Sequence, residues 1–296
     1  MRRFFAGRYS AALGKRAAEG TLRSTAVRTE TLIDFASNDY LGVARDAAFA
    51  AAHFAAEARR ADAAAGSTGS RLLTGASREH DAFEAFAAQF HGREGALLFG
   101  SGYAANSAVA ATLPLPNDTI LYDERSHNST RFGLKRSRAS LQIPFAHNDL
   151  NDLRAKVRDH EGVLIFVEGI YSMDGDEAPL LELAELCLED GRAGLIVDEA
   201  HSTGILGDRG RGAVSTLPPQ LRRAVVAQVH TFGKALGGHG AVVVCDATTR
   251  EYLANYAQPF VYATAPPDSH SRLARRAYDA ELAGRDEGLG GWLAGD

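Results

Sequence analysis

The sequence predicts an α/β fold in which a mainly parallel sheet lies between layers of helices. From about residue 80, segments of helical periodicity alternate with short apolar runs, and this alternation is typical of such sheets. The chain has 296 residues, of which 45% are hydrophobic and 23% charged. That length and composition suit a folded protein with a sizeable core, so we expect either one large domain with a smaller appendage or two domains.

Two segments show the spacing of amphipathic helices that pack on a core. Apolar residues recur at helical intervals at Phe83, Phe86, Ala87 and Phe90, and again at Leu180, Leu183, Ala184 and Cys187. A third helical segment is expected between Pro266-Pro267 and Ala283, and the tail rich in glycine and acid that follows is expected to fray.

Short apolar runs lie between these helices, and each is typical of a buried parallel strand. They occupy residues 96–99, 119–122, 163–167, 195–197 and 241–245. Residues 114–118 and 215–220 are interpreted as loops. In open sheets of this kind, ligands bind beyond the carboxyl ends of the strands. The residues that directly follow the runs are therefore the candidates for chemistry.

Composition argues against several classes of partner. The formal net charge is −5 with the two signs interspersed, so nothing indicates a nucleic-acid partner, and no apolar run is long enough to cross a membrane. The two cysteines, Cys187 and Cys245, lie in apolar stretches and are expected to be buried thiols in a reducing cytoplasm. The basic first 30 residues predict an amphipathic helix packed on the body or on a partner subunit, with a targeting segment as the alternative.

The first candidate site follows the run at residues 96–99. Gly100-Ser101-Gly102-Tyr103 precedes a helical stretch, and glycines before a helix start allow the backbone to approach a phosphate. The same residues fit a dinucleotide fingerprint with Asp123 about 20 residues further on, which keeps an NAD-dependent oxidoreductase open. A tight turn without any ligand is the third possibility.

The second candidate site combines Asp198, His201 and Lys234. Asp198-Glu199-Ala200-His201 spells a helicase box, but the phosphate-binding loop that a helicase needs is missing from the sequence, and no spacing supports a zinc site. A carboxylate at the end of a buried strand can keep a pyridinium nitrogen protonated. Lys234 lies among small residues, and a desolvated lysine becomes a nucleophile toward a carbonyl.

These motifs, with others in the same order, resemble the α-oxoamine synthases, which are fold-type I enzymes that use pyridoxal 5′-phosphate (PLP). The matching segments are Asp34-Phe35-Ala36-Ser37-Asn38-Asp39-Tyr40-Leu41-Gly42, Gly66-Ser67-Thr68-Gly69-Ser70-Arg71, Ser101-Gly102-Tyr103, Ser126-His127, Glu168-Gly169-Ile170-Tyr171-Ser172-Met173-Asp174-Gly175-Asp176, Asp198-Glu199-Ala200-His201-Ser202-Thr203-Gly204, Thr231-Phe232-Gly233-Lys234 and Tyr262-Ala263-Thr264-Ala265-Pro266-Pro267. The resemblance runs from about residue 30 to residue 267 and implies a complete cofactor pocket.

The resemblance assigns a role to each matching residue. It implies that Lys234 carries the cofactor covalently and that the catalytic residues are Lys234, His127, Asp198 and His201. Asp198 is implied to pair with the pyridine nitrogen, His201 and Ser172 to reach the phenolic oxygen, and His127 to stack on the ring. Gly102, Tyr103 and Thr231 are implied to hold the phosphate, with Thr264 from a second subunit, and Asn38 to approach the partner's substrate.

The implied reaction is the condensation of an amino acid with an acyl thioester, with loss of carbon dioxide. The branch of biotin synthesis, which joins L-alanine to pimeloyl-CoA or a pimeloyl carrier protein, is favoured over branches that use glycine or serine.

The expected domain organisation is an N-terminal arm at 1–40, a PLP-binding domain at 41–267 and the start of a C-terminal domain at 268–296. Most of that last domain, which normally supplies an arginine for the substrate carboxylate, is expected to be absent. A truncated, inactive remnant that binds a partner therefore stays open.

Overall fold

A computed structural model of the chain describes residues 2–25, 27 and 32–284. By its internal contacts the chain divides into two units, Met1–Ser37 and Asn38–Asp296. The first unit contains helix α1 (Arg2–Ala18), which confirms that the basic N-terminus is helical. The expected boundaries at residues 40 and 267 stay predictions, and the tail expected to fray, residues 285–296, lies outside the described residues.

The second unit is built on one seven-stranded sheet with the order β1-β7-β6-β5-β4-β2-β3. The strands are β1 (Gly95–Phe99), β2 (Thr119–Asp123), β3 (Leu141–Phe145), β4 (Val163–Glu168), β5 (Ala193–Asp198), β6 (Val225–Thr231) and β7 (Ala241–Cys245). β7 pairs antiparallel with both of its neighbours, and the other pairs are parallel.

In the described part of this unit, two α-helices precede β1, one follows each of β1 to β4, and three follow β7. They are α2 (Ala47–Ala58), α3 (Arg78–Phe90), α4 (Gly102–Thr112), α5 (Asn128–Leu134), α6 (Leu150–Arg158), α7 (Leu180–Asp190), α8 (Ala247–Tyr256), α9 (Gln258–Val261) and α10 (Asp268–Gly284). The predicted helices around residues 83–90 and 180–187, and the one after the proline pair, are confirmed. Among the described residues, no helix has both the length and the apolar character needed to span a bilayer.

Both faces of the sheet are covered, as the strand composition predicts. Along β1, Leu97 and Phe99 face a core shared with α4, α8 and α9, whereas Ala96 and Leu98 face a core shared with α3 and α10. On the same face of the sheet as α3 and α10, helices α6 and α7 cover strands β2, β4 and β5. Both cysteines are buried free thiols, which confirms that expectation.

One expectation about the sheet was wrong, and two of its strands were not predicted. The run at residues 241–245 was expected to be a parallel strand, but β7 is antiparallel, and an apolar run carries no information about strand direction. Strands β3 and β6 were not predicted. β3 is a mostly exposed edge strand that contains Pro144, and β6 places the buried polar residues Gln228 and His230 in an otherwise apolar run.

Candidate active site

The candidate site is a cavity at the edge where the carboxyl ends of the central strands meet. β4, β5 and β6 are parallel neighbours, and β1 runs in their direction because both β1 and β6 are antiparallel to β7. Residues that follow these strands therefore converge on one edge. They line a cavity of about 250 Å³ together with residues from α4 and α5.

One end of the cavity is a cradle between the start of α4 and the end of β6. Ser101 caps α4 by accepting a hydrogen bond from the Ala104 amide, and the first amides of a helix, here those of Gly102 and Tyr103, have no acceptor within the helix. The Thr231 hydroxyl is buried without a hydrogen-bond partner in the described structure. A Cβ on Gly102 would collide with the Thr231 side chain. The free donors around this cradle suit a phosphate group.

Asp198 is buried at the end of β5 and is held by two donors. Asn106 Nδ2 donates to Asp198 Oδ2 at 2.6 Å, and the Ala200 amide donates to Asp198 Oδ1 at 3.0 Å. Burial raises the pKa of this carboxyl, although the nearby Lys234 ammonium, the Ala200 amide and Asn106 oppose the rise. A buried carboxylate of this kind is stabilised by a cation placed in the cavity.

Glu168 is a second carboxyl beside Asp198. The two residues pair in register at the ends of β4 and β5, and the His127 amide donates to Glu168 Oε1 at 2.6 Å. Burial and then repulsion from Asp198 raise the pKa of Glu168 to about 8. At neutral pH Glu168 therefore retains its proton, and as an uncharged carboxyl it adds no second negative charge beside Asp198.

Lys234 lies in the tight turn that joins β6 to β7. The turn is closed by the Gly238 amide, which donates to the Phe232 carbonyl at 2.7 Å, and by the Gly237 amide, which donates to the Lys234 carbonyl at 2.8 Å. Burial lowers the pKa of Lys234, and the charges of Asp198 and Glu168 oppose that change. A lysine with a lowered pKa is more often an uncharged, nucleophilic amine.

His201 completes the wall next to Lys234. Tyr40 Oη lies 2.6 Å from His201 Nδ1 and 3.2 Å from Asn38 Oδ1, and its single proton is donated to one of these two acceptors. Burial and the nearby Lys234 charge lower the pKa of His201 to about 4, so this imidazole is neutral at physiological pH. A neutral ring can present its other nitrogen to a hydrogen-bonding group in the cavity.

The structure brings together most of the residues that the sequence singled out. The cavity is lined by Asn38, Gly102, Tyr103, His127, Asp198, His201, Thr231 and Lys234. Ser172 and Thr264 are not among its lining residues. Ser172 is exposed and its amide bonds to Glu168, and Thr264 is exposed and forms a bridge to Ser70. The roles assigned to all ten residues stay predictions.

Sequence reasoning assigned no role to Tyr40, Asn106 or Glu168. For two of these residues, Glu168 and Asn106, the sequence does contain a pattern that could have indicated a place in the site. Glu168 is an acidic residue at the end of a buried strand, as Asp198 is, and Asn106 lies one helical turn after Gly102 on the same face of α4. Tyr40 reaches His201 across 161 positions of sequence, and no local pattern reveals such a contact.

Comparison with known proteins agrees with this geometry. Residues 30–288 match the family model for aminotransferase class I and II. The chain is 40% identical over 283 residues to an 8-amino-7-oxononanoate synthase of Emericella nidulans, covering 90% of this chain and 68% of that protein. The solved 8-amino-7-oxononanoate synthase of Francisella tularensis superimposes with a TM-score of 0.66 at 30% identity, over 88% of this chain and 71% of that one.

A serine palmitoyltransferase of S. paucimobilis, solved with PLP and myriocin bound, superimposes with a TM-score of 0.80 at 27% identity, over 94% of this chain and 72% of that one. The chain therefore belongs to the aminotransferase class I and II family of fold-type I PLP enzymes and, within it, to the α-oxoamine synthases. It spans between 57% and 70% of the length of the curated relatives it matches.

The residues of the cavity fit PLP, the cofactor of this family. The cradle at Gly102 and Thr231 offers donors for the phosphate, Asp198 offers a carboxylate for the ring nitrogen, and Lys234 offers an amine for the aldehyde. The dinucleotide hypothesis is wrong. It requires Asp123 to face the ligand, but this carboxylate is fully buried and bound by His147 Nδ1 at 2.9 Å.

Proposed function

We propose that the chain carries out the decarboxylative condensation of an amino acid, L-alanine, with a pimeloyl thioester, giving 8-amino-7-oxononanoate for biotin synthesis. The observation that supports this most is the placement of Lys234, with a lowered pKa, beside the buried Asp198 in a cavity with a phosphate cradle. The branch is supported by the names of the relatives, since 8-amino-7-oxononanoate synthases recur among them.

PLP, when bound, supplies an electron sink for the carbanion formed at the α-carbon of the amino acid. Asp198 holds a proton on the ring nitrogen, because its carboxylate is fixed by Asn106 and the Ala200 amide. Lys234 would hold the cofactor through its aldehyde, and as an uncharged amine it would accept the α-proton of the amino acid. His127 covers one face of the ring and helps to exclude water.

The protonation states of His201 and Glu168 determine the net charge around the ring. His201 would stay neutral, with its Nδ1 accepting from the Tyr40 hydroxyl, so its Nε2–H would be left to donate to the phenolic oxygen of the ring. Glu168 retains its proton at neutral pH and therefore does not compete with Asp198 for the positive charge of the ring. Ser172, on the loop that follows β4, would be the second residue to reach this oxygen, although it does not line the cavity.

A homodimer completes the site in this proposal. Thr264 is exposed and lies outside the cavity of its own chain, so its hydroxyl is available to the phosphate cradle of a second copy. Asn38 lines the cavity of its own chain, so the approach to the partner's substrate that the resemblance implies stays a prediction. The domain organisation is the one expected from sequence, with the PLP-binding domain at residues 41–267.

The function is tested by incubating the purified chain with PLP, L-alanine and either pimeloyl-CoA or pimeloyl-loaded carrier protein, and following products by mass spectrometry. The proposal expects 8-amino-7-oxononanoate and one carbon dioxide for each thioester cleaved. Glycine and L-serine serve as competing substrates in parallel reactions. If glycine or L-serine is the preferred substrate, the chain belongs to another branch of the α-oxoamine synthases. If the chain binds PLP but condenses none of these substrates, the result supports the hypothesis of a truncated, inactive remnant.

A further inference from the structure

The segment between Arg125 and Asn148 differs in charge from the rest of the chain. It contains five Arg and Lys residues and no Asp or Glu, although the whole chain has 37 acidic and 32 basic residues. Within this segment Arg125 is paired with Asp174. The other basic residues, Arg131, Lys135, Arg136 and Arg138, are exposed on α5 and the turn that follows it. We call these four residues, together with Phe132, the basic surface.

The basic surface is not neutralised by the chain itself. In the part of the chain that the structure describes, its four cations form no ion pair. Arg131 and Lys135 are one helical turn apart and share a face of α5. The Arg136 guanidinium lies over the Phe132 ring at 3.7 Å, which orders this arginine without cancelling its charge.

The basic surface is continuous with the rim of the active-site cavity. The rings of Phe132 and Tyr103 are 5.6 Å apart, and Tyr103 lines the cavity. Both rings are partly open to solvent, with 38% of Phe132 and 43% of Tyr103 exposed. His127, which also lines the cavity, is the residue that caps α5. The basic surface therefore borders the rim of the cavity at Tyr103 and His127.

The geometry points to this basic surface as the docking site for an acidic acyl carrier protein that delivers the thioester, an inference that rests on the proposed function. An exposed aromatic ring surrounded by arginines is typical of a protein–protein contact. The four cations extend along α5 and beyond it, a length of about 10 Å at the rise of a helix. An acidic helix presents carboxylates over a similar length, and complementary charge accelerates the encounter of two proteins.

The test compares two double variants by titrating each with a fluorescently labelled, phosphopantetheinylated acyl carrier protein and measuring anisotropy. Arg131→Gln with Lys135→Gln removes two cations of the basic surface. Arg154→Gln with Arg158→Gln removes an exposed pair with the same helical spacing on α6. The PLP-loaded protein is used throughout. KM is also measured with acyl carrier protein and with acyl-CoA as donors.

The inference expects the α5 variant to bind the carrier protein about tenfold more weakly at low salt, because exposed ion pairs contribute modestly and are screened. Its KM should rise for the acyl carrier protein and stay unchanged for acyl-CoA, and the α6 variant should behave like the unaltered chain. Unaltered binding by the α5 variant, or no binding by the unaltered chain, would overturn the inference.

An equal rise in KM for both donors would also overturn it, since that result would make the basic surface a phosphate site for the shared pantetheine arm. If the chain binds the carrier protein through the basic surface but condenses neither donor, the proposed function fails while the docking surface stands. The two ideas are therefore separable in one set of measurements.

Discussion

The hydrogen bond between Asn106 and Asp198 provides a quantitative test of the role proposed for Asp198 in binding PLP. Both side chains are buried, and Nδ2 lies 2.6 Å from Oδ2. Asn106→Leu removes the donor and keeps a side chain of similar bulk. A hydrogen bond to a charged group contributes about 1.5–3 kcal/mol, so its loss should raise the pKa of Asp198 further.

Two results are expected from this change. The affinity for PLP should fall about 10- to 100-fold at pH 7, because about 1.36 kcal/mol corresponds to a factor of ten and less of the carboxyl is ionised. The unfolding free energy of the cofactor-free protein should also fall more steeply with rising pH than in the unaltered chain. A carboxyl whose folded pKa is raised contributes stability below its unfolded pKa and loses it as pH rises through the folded value.

The measurements are equilibrium dialysis against PLP and urea unfolding at several pH values. Asn151→Leu, at an exposed position on α6, is the control and should leave both quantities unchanged. A loss of stability that is the same at every pH would mean that Asn106 acts by packing alone. An unchanged PLP affinity would remove Asp198 from the cofactor site.

Two further predictions concern the cradle and a neighbouring charge cluster. Gly102→Ala places a methyl group against the Thr231 side chain and should weaken PLP binding at least tenfold by equilibrium dialysis, while a retained affinity would rule out the cradle as the phosphate site. Burial opposes the charge on His147, but its hydrogen bonds to Asp123 and Asp176 outweigh burial and raise its pKa. The stability from this cluster is therefore complete below about pH 6.5 and is lost as pH rises through the folded pKa, and His147→Gln should flatten that dependence in urea unfolding. An unchanged pH profile would contradict it.

Local sequence patterns predicted the parts of the fold that have strong periodicity. The apolar stripes of α3 and α7 predicted both helices because burial of one face sets the spacing. The exposed β3 lacks that pattern. The direction of β7 depends on its partners across the sheet, and no local pattern encodes it.

The candidate site was predicted in outline because its residues follow buried strands. Asp198 stands directly after the apolar run at 195–197, and the parallel arrangement brings such positions to one edge. Lys234 was singled out instead by the small residues around it and by its place in the family's order of motifs. The contacts that tune the site were not predicted. Tyr40 meets His201, and Asn106 meets Asp198 across 92 positions, so these pairings arise only from the packing of distant segments.

The central claim is that Lys234 is the residue that holds PLP. The most direct measurement is borohydride reduction of the PLP-loaded protein followed by peptide mass spectrometry, with Lys234→Ala and Lys156→Ala in parallel. The account predicts a phosphopyridoxyl group on the peptide that contains Lys234, together with a visible absorption band that is lost in Lys234→Ala and kept in Lys156→Ala. A modification that survives in Lys234→Ala at the same yield, or no modification of the unaltered chain, would contradict it.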